Sequence, residues 1–382
     1  MKKRLQFILL VGASLLLVIG LVLPACSSEG EKGIKLGVIT DLTGPIAYFG
    51  LSQREGMEVR LNEANYQVAG KSIEVIWEDS TGDAATAAEK ARKLIELDEV
   101  DVIIGPMFSD SQDAIAPYVA EHNVLDIAPI GGSWELSQYD NWIVFPGTLY
   151  SFGVPLGDYA YDQGWRTMTT LGADYIAGQR LIGGVADRFK ERGGTVVQEQ
   201  WSPVGELDFA PYLANLADAD VFCIWTLPLG ATITHYLELG LKIPLVIPEA
   251  DQLESSSLGE FGDAFLGQVG MVSAYTSRLD NPLNHQFVAA LGKDANIMHG
   301  SGHVATSILL AGLEATGGDA SLEVLRPAIL NLVNLDTVAG PISFSPTGNV
   351  LSNRYMAEVS FIDGRYVWEP FQVYRDVRDP RE

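Results

Sequence analysis

The sequence predicts two doubly wound α/β lobes of parallel sheet, joined by a multi-strand hinge, and three observations carry that expectation. Short apolar runs alternate with longer helical patterns from Ile34 onward, as in chains of β-α-β units. At 382 residues the chain exceeds one typical domain, and a composition of 47% hydrophobic and 19% charged residues supports real cores. The alternation restarts near Phe145, giving the same rhythm twice without a residue-by-residue repeat.

In order, Ile34 to Thr40 reads as a strand, Gly50 to Ala64 as a helix and Ser72 to Trp77 as the next strand. Asp83 opens a helix whose stripe Ala84, Ala87, Ala88, Ala91, Leu94 and Ile95 follows the 3.6-residue period. Val102 to Gly105 is a strand, Ser109 to Glu121 a helix and Val124 to Ala128 a strand, which completes the first lobe. In the second, strands at Thr167 to Leu171, Thr195 to Trp201, Val221 to Trp225 and Leu245 to Ile247 are separated by helices. Those helices are expected at Ala177 to Arg192, Phe209 to Leu216 and Leu229 to Leu239.

After Asp280 the pattern turns helical, at Asn284 to Leu291, His303 to Thr316 and Leu322 to Leu332, before a β-rich tail from Pro341 to Trp368. These helices need an apolar surface to cover. The economical arrangement returns them to the first lobe and sends the tail to the second, so the chain crosses between lobes several times, as a closing hinge requires.

Ahead of the lobes, Lys2-Lys3-Arg4 precedes an uncharged apolar stretch from Leu5 to Leu23, the layout of a secretory signal. Hydropathy alone also allows a signal anchor. Leu23-Pro24-Ala25-Cys26 decides for the former, because it resembles a bacterial lipobox whose cysteine is lipidated and becomes the first residue of the mature chain. Acyl chains on Cys26 would hold the protein to a membrane surface, with the Ser/Glu/Gly segment behind it as a flexible tether.

The formal charge is −24, and loss of Lys2, Lys3 and Arg4 with the signal would take it to −27. Such a balance excludes nucleic acid as a partner and implies a solvated acidic exterior. Cys26 and Cys223 lie far apart, and Cys223 sits in the apolar run Val221 to Trp225, so neither a disulfide framework nor a zinc site is suggested.

Catalytic motifs are absent: there is no Gly-x-Ser-x-Gly elbow, no phosphate-cradling glycine loop and no dinucleotide fingerprint after the first strand. His299 and His303 have metal-compatible i, i+4 spacing, but glycines lie between them and no neighbouring glutamate accompanies them, so helix-start or surface roles are expected.

Six segments, in order, carry a family resemblance. They are Ile34 to Pro45, Val75 to Ser80 (Val-Ile-Trp-Glu-Asp-Ser), Ile104 to Ser109 (Ile-Gly-Pro-Met-Phe-Ser), Glu238 to Lys242, Asp280 to Asn284 and Gly340 to Gly348. Nearly the whole mature chain resembles the leucine/isoleucine/valine-binding family of type I periplasmic binding proteins. The resemblance implies a venus-flytrap fold, a ligand in the cleft, delivery to an ABC permease, and neither reaction nor cofactor. A monomer is expected.

It also implies where the ligand sits. Ser109 follows a strand at a helix start, where its hydroxyl and nearby backbone donors suit a carboxylate; capping the helix is the competing role. The second pocket loop aligns Ile130, Gly131 and Gly132 with contact positions. Gly132 replaces the usual hydroxyl, Ser133 stands one place later, and Trp134 either shapes the pocket or packs. Phe49 aligns with an aromatic wall, Tyr48 beside it in reserve, and either is otherwise core.

In the second lobe Ala177 takes the place of a usual tyrosine, with Tyr175 two residues earlier, so that side is reshaped or enlarged. Trp225, Thr226 and Leu227 end a strand at another contact position, where Trp225 serves the ligand or the core. Glu249, otherwise one of 49 acidic residues, matches the position that holds a ligand ammonium. It favours a branched-chain amino acid or relative; Gly132 and Ala177 favour an aromatic acid, an amide or another small polar solute. A ligand sensor uncoupled from transport is the remaining alternative.

The resulting division is 1–25 as signal peptide, 26–33 as lipidated cysteine and tether, 34–146 with 278–342 as the first lobe, and 147–277 with 343–382 as the second. The mature chain is expected outside the cytoplasm, on the periplasmic or outer cell face.

Overall fold

The computed structural model describes residues 33–44, 46–253, 255–272 and 275–382. The expected signal segment, Cys26 and the tether up to Lys32 lie outside these residues, and among the described ones no helix is long and apolar enough to cross a membrane.

The first half contains β1 (Ile34–Thr40), α1 (Ala47–Glu63), β2 (Gln67–Val68), β3 (Lys71–Asp79), α2 (Ala84–Glu96), β4 (Val102–Ile104), α3 (Ser109–Glu121), β5 (Leu125–Ala128) and β6 (Trp142–Val144). Six strands form one sheet in the order β2-β3-β1-β4-β5-β6, all parallel except β2, which turns back on β3. Helices on both faces explain why Val102-Ile103-Ile104 is apolar without alternation. Asp83 caps α2 by accepting from the Thr86 N–H at 2.7 Å, and the Ala87, Ala91 and Leu94 stripe beneath is buried.

The chain continues through α4 (Leu149–Asp162), β7 (Thr167–Ala173), α5 (Ile176–Glu191), β8 (Thr195–Ser202), α6 (Ala210–Ala214), β9 (Val221–Trp225), α7 (Leu229–Glu238), β10 (Leu245–Ile247), α8 (Ser255–Phe261) and β11 (Val269–Val272). It ends with α9 (Pro282–Leu291), α10 (Ile297–Ala315), α11 (Leu322–Leu330), β12 (Leu335–Thr337), β13 (Gly340–Phe344), β14 (Val350–Leu351), β15 (Arg354–Ile362) and β16 (Arg365–Tyr374). The second sheet runs β16-β15-β11-β10-β9-β7-β8, with β15 and β16 antiparallel at its edge. Cys223 in β9 is a free, buried thiol, and burial pushes its pKa up.

Some expectations are corrected. The β-rich tail divides: β15 and β16 join the second sheet, whereas β13 pairs with β12 and β14 in a separate three-stranded sheet. Helix α10 begins at Ile297 and not at His303, because packing overrides the low helix propensity of Gly300 and Gly302. His299 does serve the helix start, closing a capping box with Asn296, but neither histidine is on the surface. Glutamates absent from their local sequence reach them from α1: Glu55 lies 2.9 Å from His299 Nε2, and Glu63 lies 3.5 Å from His303 Nε2.

Helices α1 and α10 approach so closely that only glycine fits at the crossing. A Cβ on Gly56 would lie 1.9 Å from the His299 carbonyl oxygen, and one on Gly302 would lie 2.2 Å from that of Gln53. Gly56→Ala is therefore expected to cost about 1–3 kcal/mol by overpacking, read as a lower urea midpoint.

Three segments carry the chain between the sheets, between β6 and α4, between β11 and α9, and between β14 and β15. The first and third run side by side: Ser352 Oγ donates to the Pro146 carbonyl at 3.5 Å, and Arg354 reaches from β15 to the same carbonyl at 2.5 Å. The C-terminus straps this bundle through Thr148 to Asp379 and Asn349 Nδ2 to Glu382 at 2.6 Å.

Candidate ligand-binding cleft

Parallel strands place their loops at the carboxyl edge, and in both sheets those loops converge on one cavity. The first lobe supplies Phe49 from α1, Met107, Phe108 and Ser109 from the β4–α3 junction, Ile130 after β5, and Met298 from α10. Facing them are Leu149 at the start of α4, Tyr175 and Ala177 at the β7–α5 junction, Trp225 and Leu227 around the end of β9, and Glu249 and Gln252 after β10. The cavity measures about 50 Å³ to the centres of water-sized spheres; one ordered water needs roughly 10–15 Å³ on that measure.

Its walls are mainly apolar. Three rings form a tilted ladder from one lobe to the other, Phe108 to Tyr175 at 5.8 Å and Tyr175 to Trp225 at 5.9 Å between centroids. Polar groups are few. Ser109 is the first residue of α3 and is buried, and Phe108, not Ser109, occupies the cap position. Its hydroxyl makes only a long contact with Asp110, at 3.4 Å. The first-turn N–H groups of a helix lie outside its own hydrogen-bond ladder, so this end offers donors.

Glu249 is the acid of the opposite wall. It follows β10 in left-handed backbone, φ 53°, a conformation that costs a non-glycine residue on the order of 1 kcal/mol or more and recurs at functional sites. The residue is 4% exposed, and its carboxyl accepts from Gln252 Nε2 at 2.6 Å, with the Trp225 indole N–H facing it. Burial, reinforced by neighbouring Asp251, pushes its pKa up to about 8. Tyr175 is also held well above its ordinary value, by burial and then by Glu249 and Asp110.

Of the residues expected at the site, Phe49, Ser109, Ile130, Tyr175, Ala177, Trp225, Leu227 and Glu249 line this cavity. Six others lie elsewhere. Tyr48, one helical step from Phe49, is exposed and its hydroxyl accepts from Asn296 at 2.9 Å. The Gly131 carbonyl accepts from Gln112, and the Gly132 carbonyl from the Leu149 N–H. Ser133 donates to Asp113 at 2.6 Å, Trp134 lies under the Arg381 guanidinium, and Thr226 is bonded to Thr232. Met107, Phe108, Leu149, Gln252 and Met298 were not anticipated. Phe108 adjoins Ser109 in a segment already singled out, whereas Met298 sits in a turn of α10 that the local sequence hid.

A family model for the periplasmic binding protein matches residues 33–364. A Leu/Ile/Val-binding protein homolog of Brucella abortus (strain 2308) is 25% identical over 374 residues, covering 93% of this chain and 95% of that protein. Among solved structures, an ABC transporter substrate-binding protein from Sphaerobacter thermophilus superposes with a TM-score of 0.84 at 28% identity, covering 91% of this chain and 99% of the other. The solute binding protein of an ABC transporter from Rhodopseudomonas palustris BisB5, in complex with 3,4-dihydroxybenzoic acid, gives 0.85 at 28% identity with the same coverage.

Proposed function

Because the chain belongs to the periplasmic binding protein family, we propose that it captures a small carboxylate with an apolar, ring-sized body between its lobes and presents it to an ABC permease. The protein would be tethered outside the cytoplasm by lipid on Cys26 and would release the ligand chemically unchanged.

The observation that carries this reading is the polarity of the cavity. Ser109 and the first turn of α3 offer donors on one wall, the ring ladder supplies apolar surface, and Glu249 is the acid of the other wall. Its raised pKa leaves it protonated at neutral pH, so it does not repel a bound carboxylate and is able to donate a hydrogen bond. Ala177 leaves room where a larger side chain would fill the cavity. The dihydroxybenzoate in the Rhodopseudomonas relative agrees with this chemistry.

The second reading is a branched-chain amino acid, favoured by that same Glu249. A buried ammonium needs a carboxylate partner, and Glu249 would have to ionise to serve as one.

Ser109→Ala tests the carboxylate end. Isothermal titration with benzoate should show binding weakened by roughly tenfold or more, the scale of one hydrogen bond to a charged group. Unchanged affinity would remove Ser109 from the site.

A further inference from the structure

A second and wider hollow lies beside the inner cavity, 260 Å³ on the same measure. The two share walls. In the segment after β10, Glu249 and Gln252 line the inner cavity while Asp251 and Leu253 line the outer one. At the start of α10, Met298 lines the inner cavity while Asn296 and Ile297 line the outer.

The outer hollow is apolar at its base, where Leu258, Val272, Ile297, Val367 and Trp368 are all buried. Its cations are already engaged within the protein: Arg278 Nε bonds Glu369 at 2.7 Å, and Arg365 pairs with Asp294. Each pair offsets the charge of its guanidinium, and the carboxylates Asp251 and Asp294 also line the hollow, so it presents no net positive charge to an anion, and its base favours apolar groups.

We propose that the two hollows are compartments of one site, built for carboxylates that carry an apolar extension. The carboxylate sits at Ser109, and the extension passes the partition of Gln252 and Met298 into the outer compartment. This rests on the carboxylate reading above and adds the length of the substrate to it. The inner cavity alone is small, and a ligand that also filled the outer compartment would remove more apolar surface from water.

The test is titration of the full chain with benzoate and with 4-phenylbutyrate. The longer acid should bind at least tenfold tighter. Val367→Phe, which narrows only the outer compartment, should weaken 4-phenylbutyrate by tenfold or more and leave benzoate within twofold. Ala295→Leu intrudes from the segment ahead of α10 and should give the same split, so the test survives if one variant fails to fold. Benzoate binding as tightly as 4-phenylbutyrate, or equal losses for both acids in a folded variant, would overturn the extension and leave the carboxylate reading standing. Binding of neither acid by the wild-type chain would overturn both.

Discussion

Glu249→Gln should raise the thermal midpoint of the unliganded protein at pH 8 by several degrees and leave it nearly unchanged near pH 4. Burial holds the folded carboxyl at about 8, against an ordinary value of 4.5. Between those values the unfolded chain has lost this proton while the folded chain keeps it. The folded state therefore binds more protons, and stability falls as pH rises through the window. The contribution is complete below pH 4.5 and gone by about pH 8. Glutamine keeps the shape and the hydrogen-bond acceptor facing Gln252 but has no proton to lose, so it recovers on the order of 4 kcal/mol at pH 8. Calorimetry at several pH values reads this directly, and an equal shift at pH 4 and pH 8 would show that Glu249 does not titrate in that window.

The same proton separates the two ligand readings. An amino acid needs ionised Glu249, so leucine affinity would climb by up to about tenfold per unit between pH 6 and 8. A carboxylate without an ammonium meets protonated Glu249, and its affinity should stay level to about pH 8 and then fall as like charge develops.

Arg354→Met should cost about 2 kcal/mol or more. The guanidinium is fully buried, with Nη2 donating to the Pro146 carbonyl and Nη1 to Ser352 Oγ, each at 2.5 Å, and it lies 4.6 Å from the centre of the Phe152 ring. Those bonds tie β15 to the first crossing segment. Methionine fills comparable length but leaves the Pro146 carbonyl with only the long bond from Ser352 Oγ, at 3.5 Å. Burial already lowers the arginine to about 9, with Asp251, Tyr355 and Glu249 pulling the other way, so part of the lost bonding is offset by removing a desolvated charge. Losing that positive charge should also push Glu249 higher still. A melting point equal to or above the wild type would contradict the anchoring role.

Much of the fold was legible because parallel strands buried on both faces leave continuous apolar runs, as in Val102 to Ile104 and Val221 to Trp225. Strand β6 has only three residues, too few to show a period. Helix α4 buries Leu149, Phe152, Leu156 and Ala160 at helical spacing, but Gly153, Pro155 and Gly157 interrupt the run as helix breakers, and Val154, Tyr159 and Tyr161 outside the stripe blur it in the sequence. At the site, residues at strand ends such as Ser109, Tyr175 and Glu249 were readable from position and resemblance. The 130–134 loop was harder, because Gly131, at φ 54°, turns the chain so that the next residues bond to α3 and α4 and leave the cavity. Met298 and Gln252 reach the cavity through tertiary packing alone, and nothing in their local sequence marks them.

The most direct test of carboxylate capture is titration at pH 7 with benzoate and benzamide, which share size and shape but differ in charge. Charge-assisted bonds from Ser109 and the first turn of α3 should make benzoate at least tenfold tighter. Benzamide binding as well as or better than benzoate would contradict a carboxylate site.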